Sequence, residues 1–354
     1  MTPSSRPTIR DVAARAGVST TAVSKVFNDT GRISAPTRER ILDAAAALGW
    51  QPSATASALK NSRTRTVALV AFRSPDLLGT DPHFTELIGG LESELSPRGY
   101  GLLLHLVADR AAESATYERL ARERRADGFV LTESRIGDPR YALTRRLAMP
   151  AVLLGTPYDE DPIPHAALPQ PEAGVRAAVH HLAGLGHRRI AYVAGPDDRV
   201  HTVFRRRVFQ DAVAEAGLPP AETLTTDFTE RGAVRATEEL LRRHAPPTAI
   251  VYANDSMAVC GMGTAQRLGL SVPADVSVIG YDDLPVCRWV HPRLTTVDQH
   301  VSQAGAAAAR ALLALCGERI DTPPLGRPPQ LVIRESTGPS PQEITAPCSA
   351  PPPA

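Results

Sequence analysis

From residue 66 onward, short and nearly continuous apolar runs recur between helical patterns, and this alternation limits the fold more than any other feature of the chain. The runs are 66–72 TVALVAF, 100–107 YGLLLHLV, 128–132 GFVLT and 150–154 PAVLL, followed by 189–194 RIAYVA, 223–226, 248–252 TAIVY and 276–280 VSVIG. Strands that are apolar on both faces belong to parallel sheets, whose crossover helices cover both sides. Helical patterns over 84–98, 113–125 and 139–148 connect the first strands, and those over 171–186, 204–216, 231–244 and 256–268 connect the second series. The alternation restarts after 150–154, so two similar α/β lobes fit better than one sheet. A chain of 354 residues also exceeds one ordinary core and suits two or three domains.

The segment ahead of this body reads differently. Thr8 precedes an apolar-periodic run, Ile9, Val12, Ala13 and Ala16, with Asp11 three residues on as the far half of a capping box. Gly17 and Val18 interrupt the pattern, and Ser19 can cap a second helix whose inward positions are Ala22, Val23, Val26 and Phe27. Two short helices joined by a tight glycine-containing turn form a helix-turn-helix. A third helix follows Ser34-Ala35-Pro36, with Ile41, Leu42, Ala45 and Leu48 predicted as its core side and Gly49 as its stop. From Gln51 to Arg65 the chain reads as a short helix begun by Pro52 and Ser53, then a linker.

Charge separates the same two regions. The whole chain carries a formal +1, yet residues 1–65 hold ten Lys and Arg against four Asp and Glu, which is +6 and leaves −5 elsewhere. A basic head on an acidic body is the footprint of a chain that meets phosphate at one end. Cys260, Cys287, Cys316 and Cys348 have no metal-ligand spacing, and nothing calls for a disulfide, so no metal and no cofactor are expected. The N-terminus lacks an apolar signal region and no apolar stretch is long enough to span a membrane, which predicts a cytoplasmic protein.

Several segments together resemble the LacI/GalR transcriptional repressors over roughly residues 8–336: TIRDVAARAGVSTTAVSKVFN, TRERILDAAAALGW, LGHRRIAYVAGP, VYANDSMAVCGMGTAQRLGLSVPADVSVIGYDD and LTTV, in family order. The resemblance implies an α/β chain with an N-terminal three-helix helix-turn-helix head at 7–50 and a hinge helix and linker at 51–65. It also implies a two-lobed body of parallel α/β sheets at 66–336, similar to periplasmic sugar-binding proteins, with the effector held between the lobes. The Pro-, Ser- and Ala-rich segment 337–354 reads as a disordered tail.

Within the second helix, burial of Ala22, Val23 and Val26 leaves Thr20, Thr21, Ser24 and Lys25 toward solvent. Thr20, Thr21 and Lys25 match the family's base-reading positions; Thr can bond base or phosphate, and Lys can donate to guanine. Many relatives have Arg where Lys25 stands, and Lys lacks that bidentate fork. Thr8, Ser19, Asn28 and Arg32 are assigned to phosphate contact or capping. The resemblance further implies that paired hinge helices enter the minor groove, where Ala56 faces the DNA and Leu59 wedges between base steps. Ser53 and Ser57 replace a usual Asn and Arg there.

For the effector, polar residues after strand C-termini are the candidates, because open parallel sheets bind ligands at that edge. Asn254, Asp255 and Asp282 stand where the family places ligand contacts. Arg205 aligns with its ligand-anchoring Arg, with Arg206 and Arg207 as alternatives for the inward position, and Phe228 either stacks on ligand or packs in the core. The first crossing between lobes reads Leu168-Pro169-Gln170 in place of a common Asp-Asn pair, and the loop 73–83 is longer than usual. The implied effector is a sugar or sugar derivative. The implied assembly is a homodimer on a pseudo-palindromic double-stranded operator, since one short head reads few base pairs and two-fold symmetry doubles them. An enzyme is not indicated: there is no GxSxG, P-loop or HExxH, no GxGxxG follows a strand, and His180 and His181 are predicted to be exposed.

Overall fold

The computed structural model describes residues 7–27, 30–51, 63–72, 82–158, 163–166, 169–321 and 326–341. The chain divides into two units, Met1–Arg65 and Thr66–Ala354. In the first, α1 (Ile9–Ala16), α2 (Thr20–Phe27) and α3 (Ala35–Leu48) enclose a small core of Val12, Ala13, Ala16, Val23, Val26, Ile41, Ala44 and Ala45. The start of α1 is set as its sequence predicts, because the Thr8 N–H and hydroxyl both donate to the Asp11 carboxylate at 2.7 Å. Gly17 ends α1 in the left-handed conformation, and the Ser19 hydroxyl accepts the Ala22 N–H at 3.2 Å to open α2. Phe27 meets Trp50 edge to face at 5.1 Å. One core position departs from the prediction: Leu42 is 43% exposed and Ala44 is buried instead. The face is therefore Ile41, Ala44, Ala45 and the half-buried Leu48, a stripe of helical spacing that Leu42 lies beside.

The second unit contains two parallel sheets. Its first sheet has the order β2-β1-β3-β4-β5, from β1 (Thr66–Phe72), β2 (Gly101–Val107), β3 (Gly128–Leu131), β4 (Ala151–Leu154) and β5 (His165–Ala166). The other has the order β7-β6-β8-β9, from β6 (Ile190–Ala194), β7 (Glu222–Thr225), β8 (Ala249–Tyr252) and β9 (Ser277–Ile279). Each sheet reverses direction of winding beside its first strand, which is where such sheets open a crevice at their C-terminal edge. The unbroken apolar run of β1 has the reason the sequence suggests. Val67, Leu69 and Ala71 pack toward one helical layer, while Ala68 and Val70 pack toward the other.

Helices α4 (Pro82–Leu95), α5 (Arg110–Arg122) and α6 (Pro139–Arg146) flank the first sheet, and α7 (Ala173–Gly184), α8 (Val200–Glu215), α9 (Glu230–Leu241) and α10 (Asp255–Arg267) flank the second. Among the described residues, the elements outside the predicted series are the two-residue β5, the antiparallel pair β10 (Thr296–Asp298) and β11 (Gln330–Val332), the short 3-10 helix Pro285–Arg288, and α11 (Val301–Leu315). The last is the consequential one. Having built the second lobe, the chain returns through α11 to the first, where Ala308, Ala309, Leu312 and Leu313 join the core of Leu87, Leu91 and Leu95.

The start of the segment predicted as a disordered tail, 337–354, is bound to the second lobe. His187 donates through Nε2 to the Gly338 carbonyl at 3.0 Å, and the Ser340 N–H donates to the Leu185 carbonyl at 2.9 Å. His181, predicted exposed, is half-buried with Nε2 at 3.0 Å from the Thr337 hydroxyl, whereas His180 is exposed. Residues 342–354 lie outside the described ones.

The contact of α4 with α11 is made nearly backbone to backbone. A Cβ on Gly90 would fall 2.1 Å from the Ser302 carbonyl oxygen, and one on Gly305 would fall 2.6 Å from that of Leu87. Gly90→Ala should therefore destabilise the body by about 1–3 kcal/mol, because helix axes rather than a flexible side chain must shift. The neighbouring Gly89→Ala, whose Cβ meets nothing within 4 Å, should be neutral or gain up to about 1 kcal/mol of helix propensity. Thermal unfolding of the two variants checks this; equal Tm values contradict the close packing.

Candidate functional site

On the first unit, the exposed surface of α2 carries Thr20, Thr21 and Lys25 side by side, with Ser24 half-buried beside them. Val23 and Val26 are buried on the opposite side, so packing of the small core fixes which face of α2 is presented. Ser19 and Thr8 are exposed but engaged in their caps, and Arg32 is exposed. Asn28, Ala56 and Leu59 lie outside the described residues, as do Ser53 and Ser57. The arrangement is a short polar helix face carrying the Lys25 cation.

In the second unit the candidate residues gather where the C-terminal edges of the two sheets face each other. Among Arg205, Arg206 and Arg207, the first points inward: its guanidinium lies 3.7 Å from the centre of the Tyr281 ring and donates to Gln299 Oε1 at 3.0 Å and to the Ala253 carbonyl at 3.4 Å. Arg206 pairs with Asp197, and Arg207 is exposed. Asp282 follows β9 and is 7% exposed, accepting from Gln299 Nε2 and lying 3.4 Å from Nδ1 of His83 on α4 of the other lobe. Gln299 thus joins Arg205 to Asp282, and His83 extends the group across the cleft. Neither residue is marked by a motif. Gln299 simply follows β10 where the chain crosses between lobes, and His83 lies at the start of a helix.

Asn254 and Asp255 divide differently from what their adjacency suggests. Asn254 is the N-cap of α10, its side-chain oxygen accepting the Met257 N–H at 2.8 Å, and it remains partly exposed. Asp255 is fully buried, and both its oxygens are used inside the protein: one accepts the Leu284 N–H at 2.8 Å, the other the Thr296 hydroxyl. It stands behind the cleft wall as a brace, which corrects its reading as a ligand contact. Burial first, and the nearby charge of Asp282 second, push its carboxyl well above the usual range. Glu86, on the α4 side, is also raised, chiefly by desolvation.

Phe228 is partly buried, packed against the second-lobe core and stacked on His201 with ring centres 5.9 Å apart. Desolvation, with the charge of Arg205 second, holds that imidazole far below its ordinary titration range, so it is neutral and flat against the ring. Four of the nine non-glycine residues with positive φ among the described residues belong to this group. Phe228, Asp282, Asp283 and His300 all have positive φ, at 63°, 125°, 55° and 52°. Non-glycine residues in such regions cost of order 1–3 kcal/mol each and persist where surrounding bonds over-determine them. Here the Asp282 N–H donates to the Val297 carbonyl at 2.8 Å, and the His300 N–H to Asp298 at 2.7 Å. Gln170, at the first crossing, also has positive φ, while Leu168 lies outside the described residues.

The division between brace and contact has a measurable consequence. Asp255→Ala leaves the Leu284 N–H and Thr296 hydroxyl without their acceptor, at about 1–3 kcal/mol for each buried orphan. Asp282→Asn keeps shape and tolerates positive φ, so its unfolding temperature should stay near wild type. Comparable losses in the two variants would contradict the assignment.

Three comparisons bear on this geometry. Residues 8–53 match the family described as bacterial regulatory proteins, lacI family, and residues 179–337 match the periplasmic binding protein-like domain. The chain is similar to the HTH-type transcriptional repressor PurR of Photobacterium profundum, 33% identical over 337 residues, covering 93% of this chain and 98% of that one. Among solved structures, a lac repressor dimer bound to operator and the anti-inducer ONPF superposes with TM-score 0.82 at 28% identity, covering 94% of this chain and all of that one. A complex of the transcriptional regulator CelR with cellobiose superposes with TM-score 0.69 at 31% identity, with the same coverage.

Proposed function

Because the chain belongs to the lacI family of bacterial regulatory proteins, we propose that it is a ligand-responsive, sequence-specific transcriptional repressor acting on a pseudo-palindromic operator as a homodimer. The observation that carries this is the presence, in one chain, of a presented Thr20, Thr21 and Lys25 face on α2 and a two-lobed cleft containing Arg205 and Asp282. The first can read base edges; the second can bind a small molecule.

The effector of this reading is a sugar or sugar derivative. Arg205 supplies donors, Asp282 acceptors, and the Phe228–His201 pair a flat surface, which together suit a hydroxylated ring. A CelR bound to cellobiose supports that class, and carbohydrate uptake or catabolism genes are the corresponding targets. The hinge of 51–65, with Leu59 as a minor-groove wedge and Ala56 beside it, passes the state of the body to the head. Mechanistically, two equilibria are coupled: a ligand that favours one lobe arrangement shifts operator affinity by its differential affinity for the two. The protein catalyses no reaction in this reading and works in the cytoplasm. No helix among the described residues is long and apolar enough to cross a membrane.

The test is DNA retention on a selected operator duplex and on random DNA across a salt series. Affinity for both should fall steeply with salt as counterions are released. Lys25→Ala should weaken operator binding by about 1–3 kcal/mol, or tenfold and more, with little change on random DNA. Leu59→Ala should likewise cut affinity for the operator more than for random DNA. Salt-insensitive or absent retention of the wild-type chain contradicts the regulator reading.

A further inference from the structure

The two lobes meet a second time, away from Asp282. The segment after β3 and the segment after β6 form a short antiparallel bridge between Arg135 and Arg199. Two backbone hydrogen bonds close it: the Ile136 N–H donates to the Asp198 carbonyl and the Val200 N–H to the Ser134 carbonyl, both at 3.0 Å. Ion pairs flank the bridge, Arg110 with Asp198 at 2.8 Å and Arg199 with Glu133 at 3.6 Å.

The first-lobe half of this contact is held from behind by four buried charges. Arg135, 2% exposed, pairs with Glu113, and its N–H donates to Asp138. Arg140 grips Asp138 through Nε at 2.9 Å and Nη2 at 2.6 Å and donates to the Thr132 carbonyl at 2.9 Å. Two acids and two guanidinium groups cancel in charge. The satisfaction is incomplete, since Arg135 Nε and Nη1 and Glu113 Oε1 have no hydrogen-bond partner among the described residues. Burying such a set adds little stability over an apolar core. Its consequence is geometric: it holds the segment from Thr132 to Asp138 in the shape that offers the Ser134 carbonyl and the Ile136 N–H to the other lobe.

The geometry points to an interlobe latch, formed by residues 134–136 against 198–200, which holds the lobes together in the ligand-free chain and must open before the cleft exchanges its ligand. This rests on reading the cleft as the effector site. Two backbone bonds and two solvent-reached ion pairs are weak enough to open reversibly, and the ion pairs weaken with salt. Because the latch uses no ligand atom, closure does not require ligand, and entry waits on latch opening. The buried charge set acts as a positioning device for the latch.

Amide hydrogen exchange on the full-length chain, without added ligand, tests this. Val200 is the first residue of α8, where Pro is tolerated because that N–H has no helical partner, and Arg199 already has the extended backbone, φ −98° and ψ 128°, that a following Pro requires. Val200→Pro therefore deletes one latch bond without altering a cleft side chain. In wild type the Ile136 amide should be protected; in Val200→Pro its exchange should accelerate by about tenfold or more, as the remaining bond opens with the segment. Arg110→Ala, a change at an exposed side chain, should accelerate it about twofold and leave a reduced response to salt, since only the Arg199–Glu133 pair remains across the latch. If Val200→Pro unfolds at lower temperature overall, the Arg110→Ala arm decides. An unprotected Ile136 amide in wild type, or unchanged exchange in a folded Val200→Pro, overturns the latch. Loss of operator retention by the wild-type chain would instead contradict the regulator reading and leave the exchange result standing.

Discussion

Gly90 and Gly305 allow two helices from opposite ends of the body to meet backbone to backbone, and the core of the first lobe is closed by that contact. The second of these helices, Val301–Leu315, arrives only after the chain has completed the second sheet. The first lobe is therefore unfinished until the second exists. Its core needs Ala308, Leu312 and Leu313 against Leu87 and Leu91. A body made this way cannot be divided into two independent pieces of sequence, and the lobes are tethered wherever the chain crosses between them. That is the mechanical requirement of a sensor in which a small ligand between lobes must alter something elsewhere in the chain.

The electrostatics of the cleft follow the same logic of separating support from contact. Asp255 takes its bonds from Leu284 and Thr296 and is closed to solvent, whereas Asp282 turns toward Gln299 and His83. Burial, and the charge of Asp282 beside it, hold the Asp255 carboxyl above its usual range. Arg205 is pinned by Tyr281 and Gln299 before any ligand arrives. Strained backbone at Asp282, Asp283 and Phe228 shows that the surrounding framework, rather than local preference, places these groups.

Much of this was legible in the residues. The strand runs survive within a residue or two because a doubly covered parallel strand has no polar face to blur its pattern, and the capping box at Thr8 marked the first helix through local chemistry alone. Misreadings arose where tertiary context decides. Leu42 looked like core because Ile41-Leu42 is a pair of apolar residues, and only packing against the other helices selects Ile41 and Ala44. The Ala-rich helix Val301–Leu315 has small side chains around much of its surface and begins at a left-handed His300, so neither periodicity nor a cap announces it. Asp255 and Asp282 are equivalent as letters after strands; burial separates them. His181 and the segment from Thr337 to Ser340 read as surface and tail because their hydrogen bonds join parts of the chain more than 150 residues apart.

The state of the cleft and the state of the DNA-binding face form one coupled equilibrium. Its most direct measurement is reciprocal titration of the full-length chain: operator affinity with and without a saturating sugar chosen by thermal stabilisation, and affinity for that sugar with and without operator. Linkage requires the two ratios to be equal. The account predicts a shared factor of about 5–150, the range of ordinary allosteric coupling, abolished in Asp282→Asn. A sugar that binds tightly while leaving operator affinity unchanged would contradict it.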